Sequence, residues 1–80
     1  MANKRDMIID IRDTNEFRKN GIEGSLHIPA RYIEDNLKLL KTFDSITFVC
    51  FSGTVSRKVA HKYKDILNCK GDNLQSVKLL

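Results

Sequence analysis

Residues 46–58, ITFVCFSGTVSRK, constrain this chain more than any other stretch. Ile46, Phe48 and Val49 form a short apolar, strand-favouring run ahead of Cys50. Gly53 allows a tight turn. Thr54 is placed to cap a helix that Val55 opens. The cysteine therefore stands at the carboxyl end of a buried strand and faces a helix N-terminus. In an open α/β sheet, that is where ligands bind.

Such a position has its own chemistry. Successive backbone N–H groups in a tight loop converge into a nest that binds anions. The helix N-terminus adds unpaired N–H groups and the positive end of a dipole. A thiol placed there has a lowered pKa, and the thiolate is the nucleophile. Arg57 and Lys58 add positive charge one turn later. A second reading takes Cys50 as a small buried hydrophobe at a strand end, a common place for free cysteines. On this stretch alone both readings stand.

The totals bound the rest. Eighty residues make one small domain, 1–80, near the lower limit for a self-sufficient core. A composition 41% hydrophobic and 30% charged is that of a soluble globular chain, not a disordered one. No apolar run approaches membrane-spanning length and no secretory core follows Met1, so no membrane partner is expected. Cys50 and Cys69 form no metal-binding spacing, and two cysteines are weak grounds for an oxidising compartment. A cytoplasmic location is the expectation. The net charge of +4 favours anionic partners. The basic residues are spread along the chain without a nucleic-acid-binding pattern, so nucleic acid is not expected.

After a polar lead at residues 1–6, Met7-Ile8-Ile9-Asp10-Ile11 reads as a buried strand. Asp13 or Thr14 can cap a short helix through Lys19, ended by Gly21. Ser25-Leu26-His27-Ile28 is a brief extended segment stopped by Pro29. The spacing of Ile33, Leu37 and Leu40 predicts a helix over residues 30–40. In the helix after Cys50, Val55, Val59, Tyr63, Ile66 and Leu67 are expected to line the buried face. Lys70-Gly71-Asp72-Asn73 reads as a loop, and residues 74–80 as a final strand. Strands that alternate with helices through short connections predict an α/β domain with a mostly parallel sheet. Right-handed crossovers place helices on both faces.

Three segments together resemble the rhodanese-like domain family. Ile9-Asp10-Ile11-Arg12 followed by Glu16-Phe17 is similar to its D-x-R…E-[FY] signature. Asn20-Gly21-Ile22-Glu23-Gly24-Ser25-Leu26-His27-Ile28-Pro29 resembles G-H-I-x-G-[AS]-x-x-[IL]-P. Cys50-Phe51-Ser52-Gly53-Thr54-Val55-Ser56 resembles C-x-x-G-x-R-S. They occur in the family's order and cover most of the chain. The resemblance implies a three-layer α/β/α fold and moves Cys50 towards the reactive reading. It implies a sulfurtransferase in which Cys50 takes the outer sulfur of an anionic donor such as thiosulfate as a persulfide. A thiol or protein acceptor then receives that sulfur. The N–H groups of Phe51, Ser52, Gly53, Thr54, Val55 and Ser56 would cradle the persulfide, with Arg57 nearby. The family uses no metal and no organic cofactor.

The chain also departs from that pattern. Val55 stands where the family often has arginine, and Gly21 where it often has histidine. Only six residues precede Met7, and the chain stops at Leu80 before the family's closing helix. The expectation is a part of a longer protein or self-association, because an uncovered strand invites pairing. The alternative function is a non-catalytic binding or regulatory module. A phosphatase-type C-x5-R loop needs arginine at position 56, where Ser56 stands. Asp10 and Arg12 read as structural partners. His27 and His61 read as poor general bases, and Cys69 as a bystander.

Overall fold

In the computed structural model, which describes residues 4–80, the two apolar runs become the inner strands of one sheet. β1 (Asp6–Asp10) and β3 (Ser45–Cys50) pair in parallel, with Ile9 opposite Phe48 and Asp10 opposite Val49. β2 (Ser25–His27) flanks β1 and β4 (Cys69–Asn73) flanks β3. The order is β2-β1-β3-β4, all parallel, so every carboxyl end points to one edge.

Parallel strands need crossovers, and these carry the helices. α1 (Thr14–Lys19) joins β1 to β2 and is capped by the Asp13 carboxylate, which accepts from the Glu16 N–H. Between β2 and β3 run 3-10 turns at Ala30–Tyr32 and Glu34–Asn36, then the single turn α2 (Leu37–Leu40). α3 (Thr54–Tyr63) joins β3 to β4.

Side chains alternate along a strand, so each face has its own set. Ile9, Ile46, Phe48 and Cys50 pack with Ile33 and Leu40 of the second crossover and with Ala60, Tyr63 and Leu67 of the third. Burying each large apolar side chain of this kind stabilises by roughly 1.5–3 kcal/mol. On the opposite face Asp10 and Val49 are fully buried. There His27 stacks on Phe17 of α1, with ring centroids 4.3 Å apart. Helices therefore lie on both faces, as a three-layer α/β/α arrangement requires.

Four local expectations need correction. Residues 30–40 do not form one helix. The Asn36 side chain donates to the Tyr32 carbonyl at 2.8 Å, and the Asn36 N–H bonds Ile33 instead. That competition breaks the α-helical ladder while Ile33 and Leu40 stay in the core. α3 starts one residue early: Gly53, at φ +88°, is the capping residue and Thr54 is already helical. The buried stripe of α3 is Ser56, Ala60 and Tyr63, continued by Leu67, with Val59 partly buried. Val55 and Ile66 are about half exposed.

The end of the chain is the fourth. Cys69–Asn73, expected to include a loop, is strand β4, and Leu74–Ser76 is a 3-10 turn. Leu79 makes only an isolated antiparallel bridge to Ile22. A polar strand is tolerated here because β4 pairs with β3 alone and stays half-buried. Gly71 has a packing role: a Cβ there would overlap the backbone of Ser56 and Arg57. Its absence lets the first turn of α3 rest directly on the sheet. No helix of the described residues is long and apolar enough to cross a membrane.

Candidate active site

Cys50 ends β3 on the core side and is only 8% exposed. Its sulfur sits inside the turn that leads to α3. The Gly53 N–H donates to Sγ at 3.2 Å and the Ser56 N–H at 3.4 Å. The turn closes because Gly53 adopts a left-handed φ of +88°. A side chain at 53 would be strained and would meet the Arg57 guanidinium.

The Ser56 hydroxyl is the third group at the sulfur. Ser56 is fully buried, with Oγ 3.6 Å from Cys50 Sγ. The same oxygen is 2.7 Å from the Asp72 carbonyl and 3.0 Å from the Gly53 carbonyl. One hydroxyl has one proton to donate. With a neutral thiol, S–H donates to Oγ while the hydroxyl bonds a carbonyl. With a thiolate, the hydroxyl can turn to the sulfur.

Burial pushes the Cys50 thiol up. The Ser56 hydroxyl and the N–H groups of Ser56, Gly53 and Val55 outweigh it, and the thiol falls below its ordinary value. The positive end of α3 acts in the same direction. Cys69 has burial alone and is pushed up. Its thiol donates to the Ala60 carbonyl at 3.4 Å. Cys50 pairs with Asn73, four residues further along β4, which puts the two cysteines roughly 13 Å apart along the strand direction. That is beyond disulfide reach.

Above the sulfur lies a pocket of about 240 Å³, lined by Ile11, Arg12, Glu16, Cys50, Phe51, Ser52 and Val55. Its far wall comes from the loop after β1. Arg12 Nη2 donates to Asp10 Oδ2 at 2.7 Å and to the Asn20 carbonyl at 2.6 Å. Nε bonds the Asp10 carboxylate and Nη1 the Asn20 side chain. The pair is buried. His27 Nε2 meets the Arg12 carbonyl at 2.7 Å and fixes the same loop. Beyond Phe51, which is 73% exposed, the pocket continues past Lys19, Asn20 and Leu74. A larger hollow, about 450 Å³ along residues 64–69, lies at the opposite edge of the sheet.

The predicted residues divide. Gly53 and Ser56 give N–H groups to the sulfur, and the Val55 N–H adds to the lowering of its pKa. The Thr54 N–H instead bonds the Ser52 hydroxyl at 3.3 Å. Phe51 and Ser52 line the pocket, and Arg57 stands outside its lining. Sequence reasoning missed Ile11 and Glu16 as pocket wall and the hydroxyl of Ser56 as a sulfur partner. The first two follow only from the strand order, not from their own stretch of sequence. A loop leaving a parallel strand next to β3 must emerge beside the loop that carries Cys50.

The rhodanese-like domain model matches residues 1–79. The chain belongs to the rhodanese-like domain family. This rhodanese-like domain is 35% identical over 57 residues to YrkF of Bacillus subtilis, a candidate sulfur carrier protein, covering 71% of the chain but 31% of that relative. The domain thus spans about a third of the relative's length. It also resembles a solved Staphylococcus saprophyticus structure, with TM-score 0.72, 26% identity, and 89% of this chain and 74% of the other covered. A rhodanese-related protein from Thermoplasma volcanium superposes with TM-score 0.74 at 22% identity, over 90% and 75% of the two chains, and shares the fold.

Proposed function

We propose that this rhodanese-like domain is a sulfurtransferase that works through a persulfide on Cys50. The donor is thiosulfate or an organic persulfide, and the acceptor is a thiol or a protein cysteine. The observation that carries the reading is the convergence of the Gly53 and Ser56 N–H groups on a single buried sulfur. Family membership and the sulfur-carrier name of the relative support sulfur transfer in general.

The proposed reaction is a double displacement. The Cys50 thiolate attacks the donor's outer sulfur. A new S–S bond forms at Sγ as the donor's own S–S bond breaks, and sulfite or a thiolate leaves. The transferred sulfur then bears the negative charge. The Gly53 and Ser56 N–H groups are aimed at Sγ itself and stabilise its thiolate without reorganisation. An acceptor thiolate attacks the outer sulfur, and Cys50 leaves as a thiolate stabilised by the same N–H groups. A thiol held below its ordinary pKa lessens the need for a general base. The donor set at Cys50 supports this reading over that of a non-catalytic module.

Intact mass after incubation with thiosulfate or an organic persulfide tests it. The expected result is a gain of one sulfur, removed by cyanide and absent in Cys50→Ala. A folded protein that gains no sulfur from either donor rejects it.

A further inference from the structure

The charge around Cys50 discriminates between the two donor classes. A sulfur-bearing dianion entering the pocket meets the Cys50 thiolate and the Glu16 carboxylate. Among the described residues, Arg12 is the one cation in the lining at the sulfur, and its charge is committed elsewhere. Its side chain is 3% exposed and faces the Asp10 carboxylate at 2.7 Å, with Asn20 taking further N–H groups. Val55 occupies the position on the first turn of α3 nearest the mouth and is 48% exposed. Arg57, two residues along, leans over Gly53 and stays out of the lining. The rim is apolar instead: Phe51 and Val55 flank the opening, and Leu74 and Leu79 continue the surface past Phe51. A dianion gives up its hydration on entry and meets no free cation in the lining around the sulfur, since Lys19 lines only the adjoining hollow past Phe51, whereas an uncharged organic stem gains apolar contact.

We propose that Val55 and Glu16 make this site select organic persulfides, R–S–SH with an uncharged stem, over small dianionic sulfur donors. The inference rests on the sulfurtransferase reading above and narrows its donor. The step is Cys50–S⁻ + R–S–SH → Cys50–S–SH + R–S⁻. One S–S bond breaks, one forms, and the electron pair of the broken bond leaves on the stem sulfur. No external oxidant or reductant is required. Phe51 and Val55 hold the stem.

The test compares the loading rate of Cys50 by thiosulfate with that by 2-hydroxyethyl hydropersulfide, read by intact mass. It uses the wild type, Val55→Arg and Glu16→Gln. Because organic persulfides are intrinsically reactive, the quantity that decides is the change in the ratio of the two rates. Val55→Arg is expected to shift that ratio towards thiosulfate by about tenfold, the size of one charge-assisted hydrogen bond. Glu16→Gln shifts it the same way by a smaller factor. Both positions are solvent-facing, so both variants fold. A ratio unmoved in both variants overturns the selection while leaving sulfur transfer intact. So does saturable wild-type loading by thiosulfate at a rate matching the organic donor. No loading of Cys50 by either donor overturns the sulfurtransferase reading, and this inference with it.

Discussion

The Ser56 oxygen lies 2.7 Å from the Asp72 carbonyl and 3.6 Å from Cys50 Sγ, so one buried hydroxyl joins the end of β4 to the Cys50 thiol. Ser56→Ala removes a donor from the thiolate and a partner from the carbonyl. The Cys50 pKa is expected to rise, seen as an alkaline shift in the pH profile of alkylation. Stability should fall by about 1–3 kcal/mol, the range for leaving a buried group unsatisfied. Urea unfolding measures that part. An unshifted profile would mean that the N–H groups alone hold the thiolate.

The two cysteines should separate by pH. Cys50 is lowered and Cys69 raised, so iodoacetamide near neutrality should label Cys50 first, as peptide mapping would show. The linkage follows the same signs. Between the depressed folded value and the unfolded value near roughly 8.5, the unfolded chain keeps the Cys50 proton and the folded one does not. Stability from Cys50 is therefore complete above that unfolded value and is lost as pH falls through the folded one. Cys69 acts oppositely, because its folded thiol keeps the proton longer. A Cys69→Ala background isolates the Cys50 effect in chemical denaturation across pH.

Gly71→Ala should be costly for a surface-edge position. The added methyl overlaps the Ser56 and Arg57 backbone and lifts α3 off β4. Overpacking of this kind costs about 1–3 kcal/mol. The same displacement moves the Ser56 N–H from the sulfur, so alkylation of Cys50 should slow in parallel with the loss of stability. A stable Gly71→Ala protein with normal Cys50 reactivity would show that the helix gives way without disturbing the site.

Asp10→Ala strands the Arg12 guanidinium, whose side chain is 3% exposed. Breaking one side of a buried pair costs about 3–5 kcal/mol. In a domain of this size the Tm should drop by more than about 12 °C. Asp10→Asn, which keeps one acceptor, should lose less. Thermal melts of the two variants rank them.

The fold was legible where periodicity and punctuation agreed. Met7 to Ile11 and Ile46 to Cys50 declared themselves as strands by apolar runs, and Asp13 declared α1 by its cap. The misreadings share a cause in tertiary contact overriding local signals. Lys70-Gly71-Asp72-Asn73 has turn composition, yet it is a strand because β3 offers a ladder and α3 needs the space above Gly71. Val55 looked like core because apolar residues recur with it. Ser56 faces the sheet instead, where the backbone of Ser56 and Arg57 sits directly over Gly71.

At the site, the cysteine at the strand end and its turn could be read from Cys50 and Gly53. The pocket wall could not, because Ile11 and Glu16 are distant in sequence and nothing in their own neighbourhood marks them as facing Cys50. Arg12 read correctly as a structural partner. A buried guanidinium two residues from a buried carboxylate closes on it in the short turn.

The in-register pairing of β1 with β3 delivers two loops side by side, one bearing the sulfur and the other the wall that faces it. Each has separate moorings: Gly71 and the Asp72 carbonyl beneath the first, Asp10, Asn20 and His27 behind the second. A substitution at Glu16 should therefore leave the hydrogen bonds at the Cys50 sulfur unchanged. The two loops are separately supported, so either can be altered while the other keeps its geometry.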